Sequence, residues 1–327
     1  MSDRARIATP LRVVVAGASG FIGSRTVSAL AAAGHAVLEL ARADIAALSY
    51  APSTAGIQSI GPRLTAAFGT HGADILVWAA GRREPDLDAN RAIHVRAPVD
   101  VRDALSIPRV VYLSTGEVYG TAPLPYREDG PALGTSVYAI AKLEGEAALA
   151  RSIRESVEPS SDPNSGESRQ RATDPIQPDE SPPGVTILRP ALVYGAGSKP
   201  PMLIPRVVAA LRAGERLPLT HGEQTRDLVY IDDVARAIVC AVESAETGIF
   251  NIASGVEVRI RDVVEGIARA IALQQGVPAD TLLGLLGFGE VALRPDEAHR
   301  YVMDVSRARD LLGWTATTSL ADGLARI

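Results

Sequence analysis

Residues 11–16, LRVVVA, form a short run of β-branched and apolar side chains. The run breaks at Gly17-Ala18-Ser19-Gly20-Phe21-Ile22-Gly23 and passes into the Ala- and Leu-rich stretch 24–33, closed by Gly34. β-Branched residues favour strands, Ala and Leu favour helix, and a glycine past the last helical residue ends it. A second apolar run, 36–41, follows. Strand, turn, helix and strand in that order make a βαβ unit, whose two strands lie parallel. Further apolar runs without alternation stand at 75–79, 110–113, 186–188 and 249–252, with helical stretches such as 137–153 and 234–244 between them. Such runs suit strands covered on both faces. The predicted class is therefore α/β with a doubly wound parallel sheet. Its first turn is suited to an anion: glycines let the backbone approach a pyrophosphate, and the helix N-terminus offers unpaired N–H groups and partial positive charge. The spacing, G-x-x-G-x-x-G, is one residue longer than G-x-G-x-x-G.

The chain has 327 residues, enough for two domains. Lys and Arg number 33 against 38 Asp and Glu, a net charge of −5, with pI ≈ 5.6. That balance gives no basic footprint for nucleic acid or an anionic membrane. Cys240 is the single cysteine, so no internal disulfide forms, and a reducing, cytoplasmic setting is expected. No apolar run reaches the ~18 residues of a membrane helix, and the opening MSDRARIATP lacks a secretory apolar stretch. Residues 155–184 are dense in Pro, Ser, Asp and Glu and almost free of large apolar side chains. They cannot bury enough surface to offset the entropy of ordering, and read as a mobile surface insertion.

Gly17-x-x-Gly20-x-x-Gly23 and Tyr138-Ala-Ile-Ala-Lys142 resemble the extended short-chain dehydrogenase/reductases, the NAD(P)-dependent epimerase/dehydratase family of nucleotide-sugar epimerases, dehydratases and reductases. The likeness continues in family order. Ser114-Thr115-Gly-Glu117-Val-Tyr119-Gly120 is similar to Ser-Ser/Thr-x-x-Val-Tyr-Gly, and Arg189-Pro190-Ala-Leu192-Val-Tyr194-Gly195 to Arg-Pro-x-Asn-Val-Tyr-Gly. Arg226-Asp227-Leu-Val-Tyr230-Ile-Asp232-Asp233-Val-Ala235, Phe250-Asn251-Ile-Ala-Ser-Gly255 and Leu312-Gly313-Trp314 match the later landmarks. The resemblance implies a Rossmann-type sheet with a smaller C-terminal substrate domain, and a homodimer. On that pattern 11–194 form the dinucleotide-binding domain, 228–253 return to it, and 195–227 with 254–327 form the substrate domain. It also implies a cofactor held by Gly17, Ser19, Gly20, Phe21, Ile22 and Gly23, by Arg42, by Ala79, Ala80 and Gly81, and by Tyr138 and Lys142.

Tyr138 and Lys142 lie four apart on a predicted helix and so share one face. A free phenol titrates near ~10. A neighbouring ammonium favours the phenolate, so Lys142 is expected to lower Tyr138. Such a tyrosine can take a proton from an alcohol or give one to a ketone. Thr115, at a predicted strand end, offers a hydroxyl to the same oxygen. Glu117 stands where the family's dehydratases and decarboxylases use an acid to abstract a carbon-bound proton. Its neighbour is Gly116 and not Asp, so catalytic and structural roles both stay open. His94 occupies a position where the family often has Asn; it can donate a hydrogen bond as Asn does or stand as a surface helix residue, and the second is the expectation. The remaining histidines show no metal-ligand spacing, and no metal site is predicted.

A planar guanidinium binds a diphosphate bidentately, and Arg226 and Arg294 match the family's two diphosphate-binding arginines. Leu192 replaces an Asn that many members aim at the substrate, which leaves room for a non-nucleotide ketone. NAD-preferring members place an acid at the end of the second strand, about 20 residues beyond the glycines. That position is Ala41, followed by Arg42, which can pair with a 2′-phosphate. NADP(H) is therefore the expected cofactor and NAD the runner-up; Glu39 or Asp44 would restore an NAD-type contact if the strand slipped. The expected activity is hydride transfer at a sugar carbon, most simply C4, of a nucleotide sugar, as 4-keto reductase or 4-epimerase. The alternatives are a dehydratase or decarboxylase using Glu117, a reductase of another ketone, and a non-catalytic dinucleotide sensor.

Overall fold

The computed structural model describes residues 9–49, 54–81, 83–157, 184–294 and 297–327, with the backbone alone at 47–49, 54–59 and 157. The large sheet contains β1 (Arg12–Ala16), β2 (Ala36–Leu40), β3 (Ile75–Trp78), β4 (Arg109–Leu113), β5 (Val185–Pro190) and, much later, β9 (Gly248–Ile252). Their spatial order is β2-β1-β3-β4-β5-β9 and every pairing is parallel. The apolar runs dictate this. In β1, Val13 and Val15 join one core and Val14 and Ala16 another on the opposite face, and all four are fully buried. A strand apolar on both faces must be covered on both. The helix Ile231–Glu243 packs beside Phe21–Ala32 on one face.

β6 (Leu192–Tyr194), β8 (Thr225–Tyr230) and β10 (Glu257–Arg259) form a separate small sheet, and β7 (Leu217–Leu219) pairs with β11 (Leu286–Phe288). These strands and the helices Leu203–Ala213 and Ile260–Gln275 enclose their own apolar core around Ile204, Val207, Val263 and Ile267. The late sequence landmarks sort as structural ties. Asp227 accepts the N–H groups of Ser254 and Gly255 at 2.8 and 3.0 Å. Asp233 accepts Thr318 N–H at 2.9 Å, and its carbonyl accepts Trp314 Nε1–H at 2.9 Å.

The helix expected at 137–153 runs Val137–Val157, so residues 155–157 of the expected insertion are helical. The rest of that stretch, 158–183, lies outside the described residues. No described helix is long and apolar enough to cross a membrane.

The sheet order reverses direction between β1 and β3, and open α/β sheets bind ligands in the crevice at the carboxyl ends of such strands. The glycine turn follows β1, Ala79–Gly81 follow β3, and Thr115 follows β4.

Candidate functional site

The glycines are required by close approach. Gly17 has φ +84°, and a Cβ there would lie 2.5 Å from the Ala80 nitrogen. A Cβ on Gly23 would lie 2.0 Å from the Gly17 carbonyl oxygen. Gly20 N–H donates to that oxygen at 2.9 Å and N-caps the helix Phe21–Ala32, whose first turn carries no acid. Beside this turn opens a cleft of about 320 Å³, lined by Gly17, Ser19, Gly20, Leu40, Arg42, Ile45, Ala46, Ala79, Ala80, Gly81, Ala92, Ile93 and Ala97. Seven of the expected cofactor residues meet here. The backbone cradle and apolar walls fit a dinucleotide. Phe21 instead packs its side chain against the apolar core of the smaller unit, Ile22 packs against the cores of both units, and neither residue lines the cleft.

β2 is regular. Glu39 pairs in register with Val15 and is exposed, while Leu38 and Leu40 are buried. Asp44 accepts Ala41 N–H at 2.8 Å and is bridged at 2.8 Å by Arg63, which also donates to the Glu39 carbonyl. Leu40 and Arg42, not an acid, reach the cleft from this strand end.

The cleft connects to Tyr138 through one residue. A Cβ on Gly81 would lie 2.6 Å from His94 Cε1, and the His94 ring meets Tyr138 edge-on at 5.2 Å. His94 is fully buried on a π-turn, Ala92–Arg96, which corrects the expectation of a surface residue. The extra residue of a π-turn rotates the helix face. Thr115 Oγ1 accepts Glu117 N–H at 3.2 Å and caps the turn Gly116–Tyr119.

Lys142 does not lower Tyr138 as expected. Its Nζ lies 5.8 Å from the Tyr138 ring centroid and donates to the Leu113 carbonyl at 2.7 Å. Burial pushes the Tyr138 phenol up to about 12 and the Lys142 ammonium down to about 7. The cation that draws the phenol back is Arg83, 4.5 Å over the ring and ion-paired with Glu117. Glu117 also accepts Ser136 Oγ–H at 2.6 Å.

The buried ammonium has a testable cost. Below pH 7 both folded and unfolded chains carry the charge, and its burial opposes folding fully. Between pH 7 and 10.5 the folded chain has shed the proton while the unfolded chain keeps it, so stability rises with pH and the opposition fades. Lys142→Met is therefore expected to stabilise the ligand-free protein by on the order of 3 kcal/mol at or below neutral pH, after allowing for the lost hydrogen bond. The gain should vanish near pH 10.5. Urea denaturation across that range checks it.

Glu146, four residues beyond Lys142 on the same helix face, has no counterpart among the expected site residues. It is 2% exposed, accepts Ser114 Oγ–H, and is bound bidentately by buried Arg189 at 2.6 and 3.1 Å. The pair anchors the helix that bears Tyr138 and Lys142 to the ends of β4 and β5. The signal available in sequence was its spacing from Lys142 and the Arg189-Pro190 motif.

Arg226 and Arg294 meet on one carboxylate. Glu297 Oε1 lies 2.8 Å from Arg226 Nη2, and its Oε2 lies 3.5 Å from Arg294 Nε. At Gly116 a Cβ would fall 2.0 Å from Met303 Cε and 2.1 Å from the Tyr301 hydroxyl. Among the described residues no group of three His, Cys, Asp or Glu could hold a metal ion.

Comparison with known proteins follows the same lines. The chain is 28% identical to UDP-glucose 4-epimerase of Mycolicibacterium smegmatis over 97% of both chains. It is 29% identical to dTDP-6-deoxy-L-talose 4-dehydrogenase (NAD(P)(+)) of Kitasatospora kifunensis, over 97% of this chain and 95% of that one. The structure of RMD from Pseudomonas aeruginosa complexed with NADPH superposes with a TM-score of 0.69 over 97% of both chains, at 20% identity, which is a likeness of fold. The model of the NAD dependent epimerase/dehydratase family matches residues 13–161 and 177–253 and passes over 162–176, inside the expected insertion. With the glycine cradle, the parallel sheet and the Tyr138–Lys142 helix in place, the chain belongs to the NAD dependent epimerase/dehydratase family.

Proposed function

We propose that this protein is an NADP(H)-dependent reductase acting at a carbon of a nucleotide-activated sugar, most simply C4, with Tyr138 as the proton carrier. The observation that carries the reading is the contact chain from Gly81 in the cradle through His94 to Tyr138, which sets a phenol beside the dinucleotide cleft. When bound, the nicotinamide supplies the hydride. The chain's own residues do the rest. Tyr138 Oη gives its proton to the developing sugar alkoxide, Thr115 Oγ1 donates a hydrogen bond to the same oxygen, and Lys142 Nζ holds the cofactor's ribose. Pushed up by burial, the phenol carries its proton at neutral pH, the form that ketone reduction starts from. Arg226 and Arg294 hold the diphosphate in place of Glu297.

Two observations favour a reductase. Arg42 and not an acid faces the cleft at the end of β2, which suits the 2′-phosphate of a dissociable NADPH. An epimerase has to retain its cofactor through both half-reactions. The crowding at Gly116 argues against the two-acid dehydratase site, because a side chain there meets Met303 and Tyr301. Full-length relatives include both a 4-dehydrogenase described as NAD(P)(+)-using and a UDP-glucose 4-epimerase, which supports chemistry at position 4.

The test is to titrate NADPH and NADH into wild type and Arg42→Ala by fluorescence. NADPH is expected to bind more tightly to wild type, and the substitution to weaken NADPH about tenfold through loss of a charge-assisted hydrogen bond while sparing NADH. Preference for NADH, or purification with tightly held NAD, would replace the reductase with a 4-epimerase.

A further inference from the structure

Arg83, in the loop that leaves β3, belongs to no recognised motif, yet among the described residues it makes the closest cationic contact with the Tyr138 ring, 4.5 Å from the centroid. Its terminal nitrogens bind both carboxylate oxygens of Glu117, with Nη1 at 3.2 Å from Oε1. Glu117 is fixed in turn by Ser136 Oγ at 2.6 Å, and the same Ser136 oxygen accepts the N–H of Ala139, the residue after Tyr138, at 3.0 Å. The loop after β3, the turn after β4 and the start of the helix thus close on one ring through side chains.

We propose that Arg83, clamped by Glu117, is a positioning residue that holds the Tyr138 ring and favours its phenolate form. The inference rests on the reading of Tyr138 as proton carrier. A guanidinium over an aromatic face is attracted by the ring quadrupole, and its charge stabilises an anion on the phenol oxygen. Among the described residues, few groups face Tyr138 from the neighbouring elements. His94 meets it edge-on at 5.2 Å, Tyr112 faces it from β4, and Lys142 lies 5.8 Å away with its ammonium on the Leu113 carbonyl. Glu117 is the opposing charge: Arg83 draws the phenol down and Glu117 pushes it up. The two members of one ion pair therefore act on Tyr138 in opposite directions, a signature that loss of packing does not produce.

The experiment places a ring-fluorinated tyrosine, whose phenol is acidified into an accessible range, at position 138 of the full chain. Its titration is followed by fluorine NMR without added ligand. Arg83→Met is expected to raise the midpoint by about one pH unit, Glu117→Gln to lower it, and Arg83→Lys to restore most of the wild-type value. Arg83 is 63% exposed, so its removal leaves no cavity in a core. Midpoints that stay put, or that move the same way in both variants, would overturn the proposal. Turnover measured in Tyr138→Phe separates the two ideas: activity that survives there removes the proton-carrier reading, whereas midpoints that fail to split remove the role of Arg83 alone.

Discussion

Tyr138→Phe is expected to lower turnover by about 10²–10⁴-fold while leaving NADPH affinity within about a factor of two. The substitution deletes one oxygen and keeps the ring, so the edge-on contact with His94 and the stacking under Arg83 survive. The glycine cradle and the cleft walls do not include Tyr138 and are untouched. A steady-state rate with a nucleotide sugar that the wild type accepts, and a fluorescence titration of NADPH, measure the two halves. Near wild-type turnover would remove Tyr138 from the chemistry.

The largest expected effect on stability comes from Glu146. Glu146→Ala leaves the Arg189 guanidinium buried without its carboxylate and strips Ser114 of its acceptor. Removing one partner of a buried pair costs about 3–5 kcal/mol, because the remaining charge cannot be solvated. Urea denaturation should show the midpoint falling at unchanged slope. The paired replacement Glu146→Leu with Arg189→Met should cost much less, since no charge is left behind. A single substitution that costs under ~1 kcal/mol would mean that water reaches the pair.

The parallel sheet was readable because its strands are apolar without alternation, a pattern that local sequence carries by itself. The cradle was readable because glycine is the residue that permits the Gly17 and Gly23 contacts. The environment of Tyr138 was not. Arg83 and Glu117 come from loops 34 residues apart in sequence, and their pairing depends on how β3 and β4 align. The burial of His94 does not show in the sequence because the π-turn Ala92–Arg96 breaks the regular 3.6-residue phase of the helix. Proximity along a helix face likewise carries no information about burial, and burial dominates the titration of Lys142. Glu144 and Glu146 look alike in sequence, yet one pairs with half-exposed Arg91 and the other with buried Arg189.

The crowding at Gly116 also constrains how this lineage can change. Acquiring the second acid of a dehydratase takes a substitution at a position walled by Met303 and Tyr301, nearly two hundred residues later in the chain, and by the Pro190 carbonyl. Made first, Gly116→Asp would overpack a buried site at about 1–3 kcal/mol. Made after both Met303 and Tyr301 have been replaced by something smaller, the same change meets only the Pro190 carbonyl oxygen, 3.2 Å from the new Cβ. The order of mutations thus decides which are tolerated, and a gene drifting toward dehydration would have to alter its C-terminal segment before the turn Gly116–Tyr119.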